Sequence, residues 1–218
     1  ALFDAGASQV VVWDNHGASP NLDYDLLDER CDIALGTGNK GRFPILDETF
    51  SAVLFIGYHA RDNTIDAPIC HTYASSQYQY IKFNDKEVGE IAIDAAVAGF
   101  YGVPVIFVSS DDKGVAEARA SLPDVGTVTT KKGLGWNAAL STHPKRVVAE
   151  IYRTVKETAQ EAHDHMPFRF EEPISVEIRF KRIEEAEAMS RKAGGWTRID
   201  AYTIQGELQT VHDFFAKR

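Results

Sequence analysis

The chain is 218 residues long with 44% hydrophobic and 25% charged residues, enough apolar side chain to bury a core in one large or two small domains. Lys and Arg number 23 against 32 Asp and Glu, a net charge of −9, and such an acidic surface repels phosphate backbones, which argues against nucleic acid as a partner. Two cysteines cannot build a disulfide framework and no apolar run approaches the ~20 residues of a membrane span, so a cytoplasmic protein with no membrane partner is expected.

Ala1–Gly6 reads as the last turn of a helix, because Gly6 suits the position just past a helix end and an apolar strand follows directly. A domain rarely opens on the end of a helix, so a preceding strand and most of a helix are expected before Ala1. Gln9–Trp13 is a β-branched apolar run with the pattern of a buried parallel strand, leaving its sheet at Asp14-Asn15-His16-Gly17. Ala52–Ile56 repeats the pattern and ends in Gly57-Tyr58-His59-Ala60-Arg61. Tyr78–Phe83 alternates apolar with polar residues and turns at Asn84-Asp85. Val88–Tyr101, rich in Ala, reads as a buried helix closed by Gly102 and Pro104. Val105–Val108 is a further buried strand, after which Asp111 or Asp112 would cap a helix over Ala116–Leu122.

A long helix is expected from Pro144 to about Gln160, then a break punctuated by Pro167 and Pro173. Beyond it Ile174–Phe180 alternates like a strand, Ile183–Arg191 like a helix, Thr197–Ile204 like a strand and Leu208–Phe215 like a helix. This alternation predicts an α/β fold, a mostly parallel sheet flanked by helices over residues 1–165, followed by a smaller C-terminal α+β unit over 166–218.

Ligands of open α/β sheets gather beyond the carboxyl ends of the strands, and His16 and His59 both stand there. Each could instead be a loop histidine bonded to a backbone carbonyl. Glu90 opens an otherwise apolar helix, where a carboxylate suits the helix dipole but, if closely packed, needs a partner such as a metal ion. Two imidazoles and a carboxylate form a plausible zinc set. His71, in a loop of small and polar residues, is a fourth candidate as ligand, base or oxyanion donor, or an ordinary loop histidine. Cys70 as a nucleophile paired with His71 is disfavoured, since adjacent residues of an extended chain point to opposite sides. Gly36-Thr37-Gly38-Asn39-Lys40-Gly41-Arg42 is glycine-rich but lacks the Gly-Lys-Ser/Thr ending of a phosphate-binding loop. His163 and His165 fall at a helix end, which the helix dipole favours.

Trp13-Asp14-Asn15-His16, Gly57-Tyr58-His59-Ala60-Arg61, Cys70-His71-Thr72 and Phe83–Glu90, with Val97–Val105 and Ser110-Asp111-Asp112 following in order, resemble the D-aminopeptidase family of bacterial dipeptide-transport operons. The resemblance implies a dinuclear zinc peptidase that removes D-amino acids from the amino end of short peptides, with zinc-activated water as the nucleophile. It implies His16, His59 and Glu90 as zinc ligands, His71 as the catalytic histidine, and a ring-shaped homo-oligomer, a decamer of stacked pentamers. Asp111 and Asp112 are the acidic candidates for holding the substrate's ammonium group. The family also carries an Asp-x-Glu-Gly motif whose carboxylates bind and bridge the zinc ions, and this sequence contains no equivalent. The expectation is therefore that the motif lies in a segment before Ala1, and that without it the site holds fewer than two ions. Another metal-dependent amidohydrolase on this scaffold, or a non-catalytic binding protein without the metals, stands as the alternative.

Overall fold

A computed structural model describes residues 1–17, 21–37, 41–192 and 194–217. Gly38, Asn39 and Lys40 of the glycine-rich stretch lie outside the described residues. Phe3–Ala5 forms one 3-10 turn that ends at Gly6. Two short strands, β1 (Val11–Trp13) and β2 (Asp32–Ala34), pair in parallel as a separate ribbon.

The central parallel sheet has the order β3-β6-β7-β8, built from β3 (Val53–Phe55), β6 (Val105–Asp111), β7 (Gly126–Gly135) and β8 (Ala138–Ser141). β3, β6 and β7 run parallel, and β8 returns antiparallel to β7 as a hairpin. β6 is buried at every residue, as a central strand covered on both faces must be. On one face Ile106, Phe107 and Val128 pack with Val155 of helix α3 (Pro144–Gln160). On the other, Phe55, Val105 and Val108 pack with Ile91, Ala95 and Ala98 of α1 (Glu90–Phe100) and Ala118 of α2 (Asp112–Ser121).

A second sheet is antiparallel throughout, ordered β10-β11-β9-β4-β5 from Thr197–Arg198, Thr203–Leu208, Ile174–Phe180, Tyr78–Phe83 and Lys86–Glu87. The alternation along β9 puts Ile174, Val176, Ile178 and Phe180 on one face, against Ala92, Ile93, Ala96 and Val97 of α1. Ala186 and Met189 of α4 (Ile183–Ser190) and Phe214 of α5 (Asp213–Lys217) complete that core. Helix α1 is thus clamped between two sheets and buried along Ile91–Gly99, which is why its sequence there is apolar on every side but for Asp94. The antiparallel sheet takes β4 and β5 from before residue 166, so its strands come from both sides of that expected boundary.

The mixed α/β architecture agrees with the sequence pattern, and the differences have local causes. The expected strand over Thr197–Ile204 is two pieces, and the second runs on to Leu208 because it pairs residue by residue with β9, Leu208 facing Ile174. The last helix therefore starts at Asp213 rather than Leu208. β7 and β8 carry no strand signal in the sequence, since the Thr, Lys and Gly residues of β7 make no apolar run and β8 is only four residues long and exposed along its length. Among the described residues no helix is long and apolar enough to cross a membrane.

Candidate metal centre and its supporting network

The loop that leaves β3 carries His59 past the carboxyl end of β6, and four contacts from β6 and α2 pin its backbone. Ser109 Oγ accepts from the Gly57 amide at 3.0 Å, and Ser110 Oγ donates to the Tyr58 carbonyl at 2.7 Å. Asp111 Oδ2 accepts from the Ala60 amide at 3.3 Å, and Glu117 Oε2 from the Arg61 amide at 2.9 Å. Glu90 is the first residue of α1, with Gly89 at its cap. His71 arrives on the following loop, which docks through its own amide onto the Ala60 carbonyl at 3.3 Å.

Three of the four singled-out residues meet. Nitrogens of His59 and His71 and a carboxylate oxygen of Glu90 all lie within 4.8 Å of one another, and the two imidazoles stack with centroids 3.9 Å apart. His59 Nδ1 faces the Ala60 carbonyl at 3.1 Å and His71 Nδ1 the Ile69 carbonyl at 2.7 Å. A carbonyl only accepts, so each Nδ1 carries a proton and each ring turns its Nε2 inward. Both Nε2 atoms face Glu90 Oε1, at 3.5 and 3.8 Å. Burial lowers the His59 pKa against the pull of Glu90, and the adjoining His71 lowers it further, which favours the neutral, metal-binding form of the ring.

These donors fit a metal ion. Two nitrogen lone pairs and a carboxylate oxygen converging on one point repel each other unless a cation or proton lies between them. Ligands ~2.0–2.1 Å from a tetrahedral zinc lie about 3.3 Å apart, close to the Nε2–Oε1 separations here. Carbonyl partners on the outer ring nitrogens are the usual means of orienting zinc-binding histidines.

One turn along α1 from Glu90 stands Asp94, fully buried and on the same helix face. Its carboxylate takes both forks of Arg42, Nε at 3.0 Å and Nη2 in a short contact, and accepts from the hydroxyls of Tyr58 and Tyr73, each at 2.8 Å. Asn15 joins this set by donating to Tyr58 Oη at 3.0 Å and accepting from Arg42. Burial would lower the Arg42 pKa, but Asp94 and the two tyrosines hold it above its ordinary range, while burial and Asp94 push Tyr58 well up. Tyr73 couples this network to the centre, since its amide donates to Glu90 Oε1 at 2.8 Å.

The remaining singled-out residues sit otherwise. His16 lies exposed in the loop after β1 and is not part of the His59, His71, Glu90 group. Asp111 caps α2, accepting from the Lys113 and Gly114 amides at 2.9 and 3.1 Å as well as from Ala60. Asp112 accepts from the Gly133 amide at 2.8 Å and pairs with Lys113 at 2.6 Å. Every oxygen of both carboxylates thus has an internal partner. Cys70 turns to the Thr64 carbonyl and His71 to that of Ile69. Sequence reading passed over Arg42, Asp94, Tyr58, Tyr73 and Glu117, although Asp94 as an isolated acid inside Ile91–Gly99 was a visible signal of a buried partner.

The chain is similar to known D-aminopeptidases. A family described as D-aminopeptidase matches residues 1–217. A D-aminopeptidase of Bacillus subtilis (strain 168) is 29% identical over 212 residues, covering 96% of this chain and 76% of its own. The solved structure of the Zn-dependent D-aminopeptidase DppA from Bacillus subtilis, described as a self-compartmentalizing protease, superimposes with a TM-score of 0.87 at 27% identity, covering 99% of this chain and 78% of that one.

Proposed function

The chain belongs to the D-aminopeptidase family, and from that membership we propose that it hydrolyses short peptides at an amino-terminal D-residue with zinc held at His59 and Glu90. The observation that carries the reading is the convergence of His59, His71 and Glu90 on one point, with both imidazole lone pairs turned inward. When bound, zinc supplies Lewis-acid polarisation of an amide carbonyl and a more acidic water. Glu90 is steadied by the Tyr73 amide, and His59 by the Ala60 carbonyl. His71 is the proton-handling residue: with Nδ1–H fixed on the Ile69 carbonyl, its Nε2 is free to take a proton from the attacking water and deliver it to the leaving amine. A ligand role for His16 rests on the family resemblance alone.

His71→Ala separates the two roles open to that residue. With a proton-handling role, zinc content stays at the wild-type stoichiometry while kcat toward D-aminoacyl peptides falls about 10²–10⁴-fold. Loss of zinc together with activity would make His71 a ligand instead, and unchanged kcat would reject both. His16→Ala in the same series retains its zinc if His16 is not a ligand. L-aminoacyl peptides turned over as fast as D-aminoacyl ones would reject the stereochemical reading.

By likeness to the self-compartmentalizing relative, we extend the reading to a closed homo-oligomer, a decamer with its sites facing an inner chamber. A monomer mass by light scattering on the same preparations would reject that extension. Both cysteines are free thiols, which suits the cytoplasmic location proposed here.

A further inference from the structure

Glu117 on α2 takes no part in the chemistry above, yet it stands between the two segments that carry the centre's donors. Its Oε2 accepts from the Arg61 amide at 2.9 Å, two residues beyond His59. Its Oε1 lies against Gly89, the cap of α1 directly before Glu90: a Cβ built on Gly89 would come within 2.4 Å of Oε1 and 2.5 Å of Arg61 Cβ. Only glycine admits so close an approach of the three segments. Oε1 is sealed from solvent and has no hydrogen-bond partner among the described residues. The Arg61 side chain is held from the other side, pairing with Glu87 of β5 at 3.2 Å.

We propose that Glu117 is a positioning residue of the metal centre, tying the His59 loop through the Arg61 amide and bracing the start of α1 at Gly89, so that His59 and Glu90 are held at ligand spacing. The inference rests on the reading of His59 and Glu90 as metal ligands. A buried carboxylate with one bare oxygen opposes folding, and an apolar side chain would fill the same volume without that cost. What an apolar residue cannot do is accept the Arg61 amide proton. Burial pushes the Glu117 pKa up to about 7, against the Arg61 amide bond and guanidinium, with Asp111 and Glu90 adding to the rise. The carboxyl therefore binds the amide in either protonation state, since Oε2 accepts in both.

The test compares Glu117→Ala and Glu117→Gln with the wild type in two measurements. Hydrogen exchange of the metal-free protein reads the loop directly: Glu117→Ala speeds exchange over residues 57–63 about tenfold or more and leaves β4 and β9 unchanged, while Glu117→Gln, whose carbonyl still accepts from Arg61, exchanges like the wild type. Zinc competition against a chelator reads the consequence: Glu117→Ala weakens zinc about 10–100-fold, and Glu117→Gln restores it to within about threefold. If Glu117→Ala does not fold, Glu117→Asp, one methylene short of the amide, shows the same two effects to a smaller degree. Wild-type exchange in Glu117→Ala, or a Glu117→Gln variant as impaired as Glu117→Ala, overturns the positioning role. A wild type that binds no zinc, with the exchange difference intact, overturns the metal reading and leaves the brace standing.

Discussion

Asp94→Asn removes one charge from the buried network beneath the metal centre. Asp94 is wholly shielded from solvent and the Arg42 side chain is 9% exposed, so the guanidinium left behind has neither a counter-ion nor bulk water. Breaking a buried pair by removing one partner costs about 3–5 kcal/mol, because the surviving charge stays desolvated. The Asn side chain offers one acceptor oxygen with two lone pairs in place of four occupied positions, and since Tyr58 and Tyr73 bond different oxygens, at least one of their hydroxyls also loses its partner. For a chain of this size the loss lowers the melting temperature by roughly 6–20 °C, at about 2–4 °C per kcal/mol. Urea denaturation with an unchanged m-value is the assay. A second arm, Arg42→Met with Asp94→Leu, removes both charges, and most of the loss should return. The pair then shows a coupling energy above about 2 kcal/mol in the double-mutant cycle. A loss below about 1 kcal/mol in Asp94→Asn, or a double variant worse than the sum of the singles, would refute the argument that desolvated charge dominates here.

Gly133 on β7 faces the His71 loop so closely that a Cβ would lie 2.0 Å from the Asp66 carbonyl oxygen, and the Trp136 carbonyl holds the Ile69 amide at 2.8 Å. Gly133→Ala should cost about 1–3 kcal/mol in urea denaturation and lower kcat more than zinc content, since the displaced Ile69 carbonyl orients His71; wild-type kcat and stability together would contradict this. Glu117, raised from its ordinary 4.5 to about 7 chiefly by burial, keeps its proton in the folded chain after the unfolded chain has lost it. Its contribution is therefore most favourable below about pH 4.5 and declines as the pH rises to about 7, by roughly 3 kcal/mol in all. Glu117→Gln lacks this titration, so metal-free wild type should lose stability relative to Glu117→Gln across that window, and parallel pH–stability curves would count against it.

Much of the fold was legible in the sequence because local pattern and burial agree there. The apolar runs at Val53–Phe55 and Val105–Val108 pack on both faces of their sheet, and β9 alternates because only one face meets the core. His16, His59 and Glu90 could be singled out because histidines at strand ends and an acid opening an apolar helix conflict with their surroundings unless they share a partner, and His71 because it stands in a loop of small and polar residues. Pairing was not legible in the same way. β7 and β8 are strands because β6 supplies an edge for β7 to pair with and β7 one for β8, and neither the Thr, Lys and Gly residues of β7 nor the four residues of β8 would announce it. Likewise β4 and β9, with Tyr78 facing Phe180 and Phe83 facing Val176, meet across more than ninety positions of sequence, so neither strand reveals its partner.

The candidate centre divides the same way. Residue type and position relative to a strand or helix end are local properties, and they mark His16, His59 and Glu90, of which His16 does not join the group that His71 completes. Whether Asp111 faces a ligand or caps α2, whether Arg42 reaches Asp94, and whether Glu117 lies against Gly89 depend on distances between segments far apart in the chain. Side-chain chemistry determined which groups could hold a metal; only the packing of α1 between two sheets decided which of them meet.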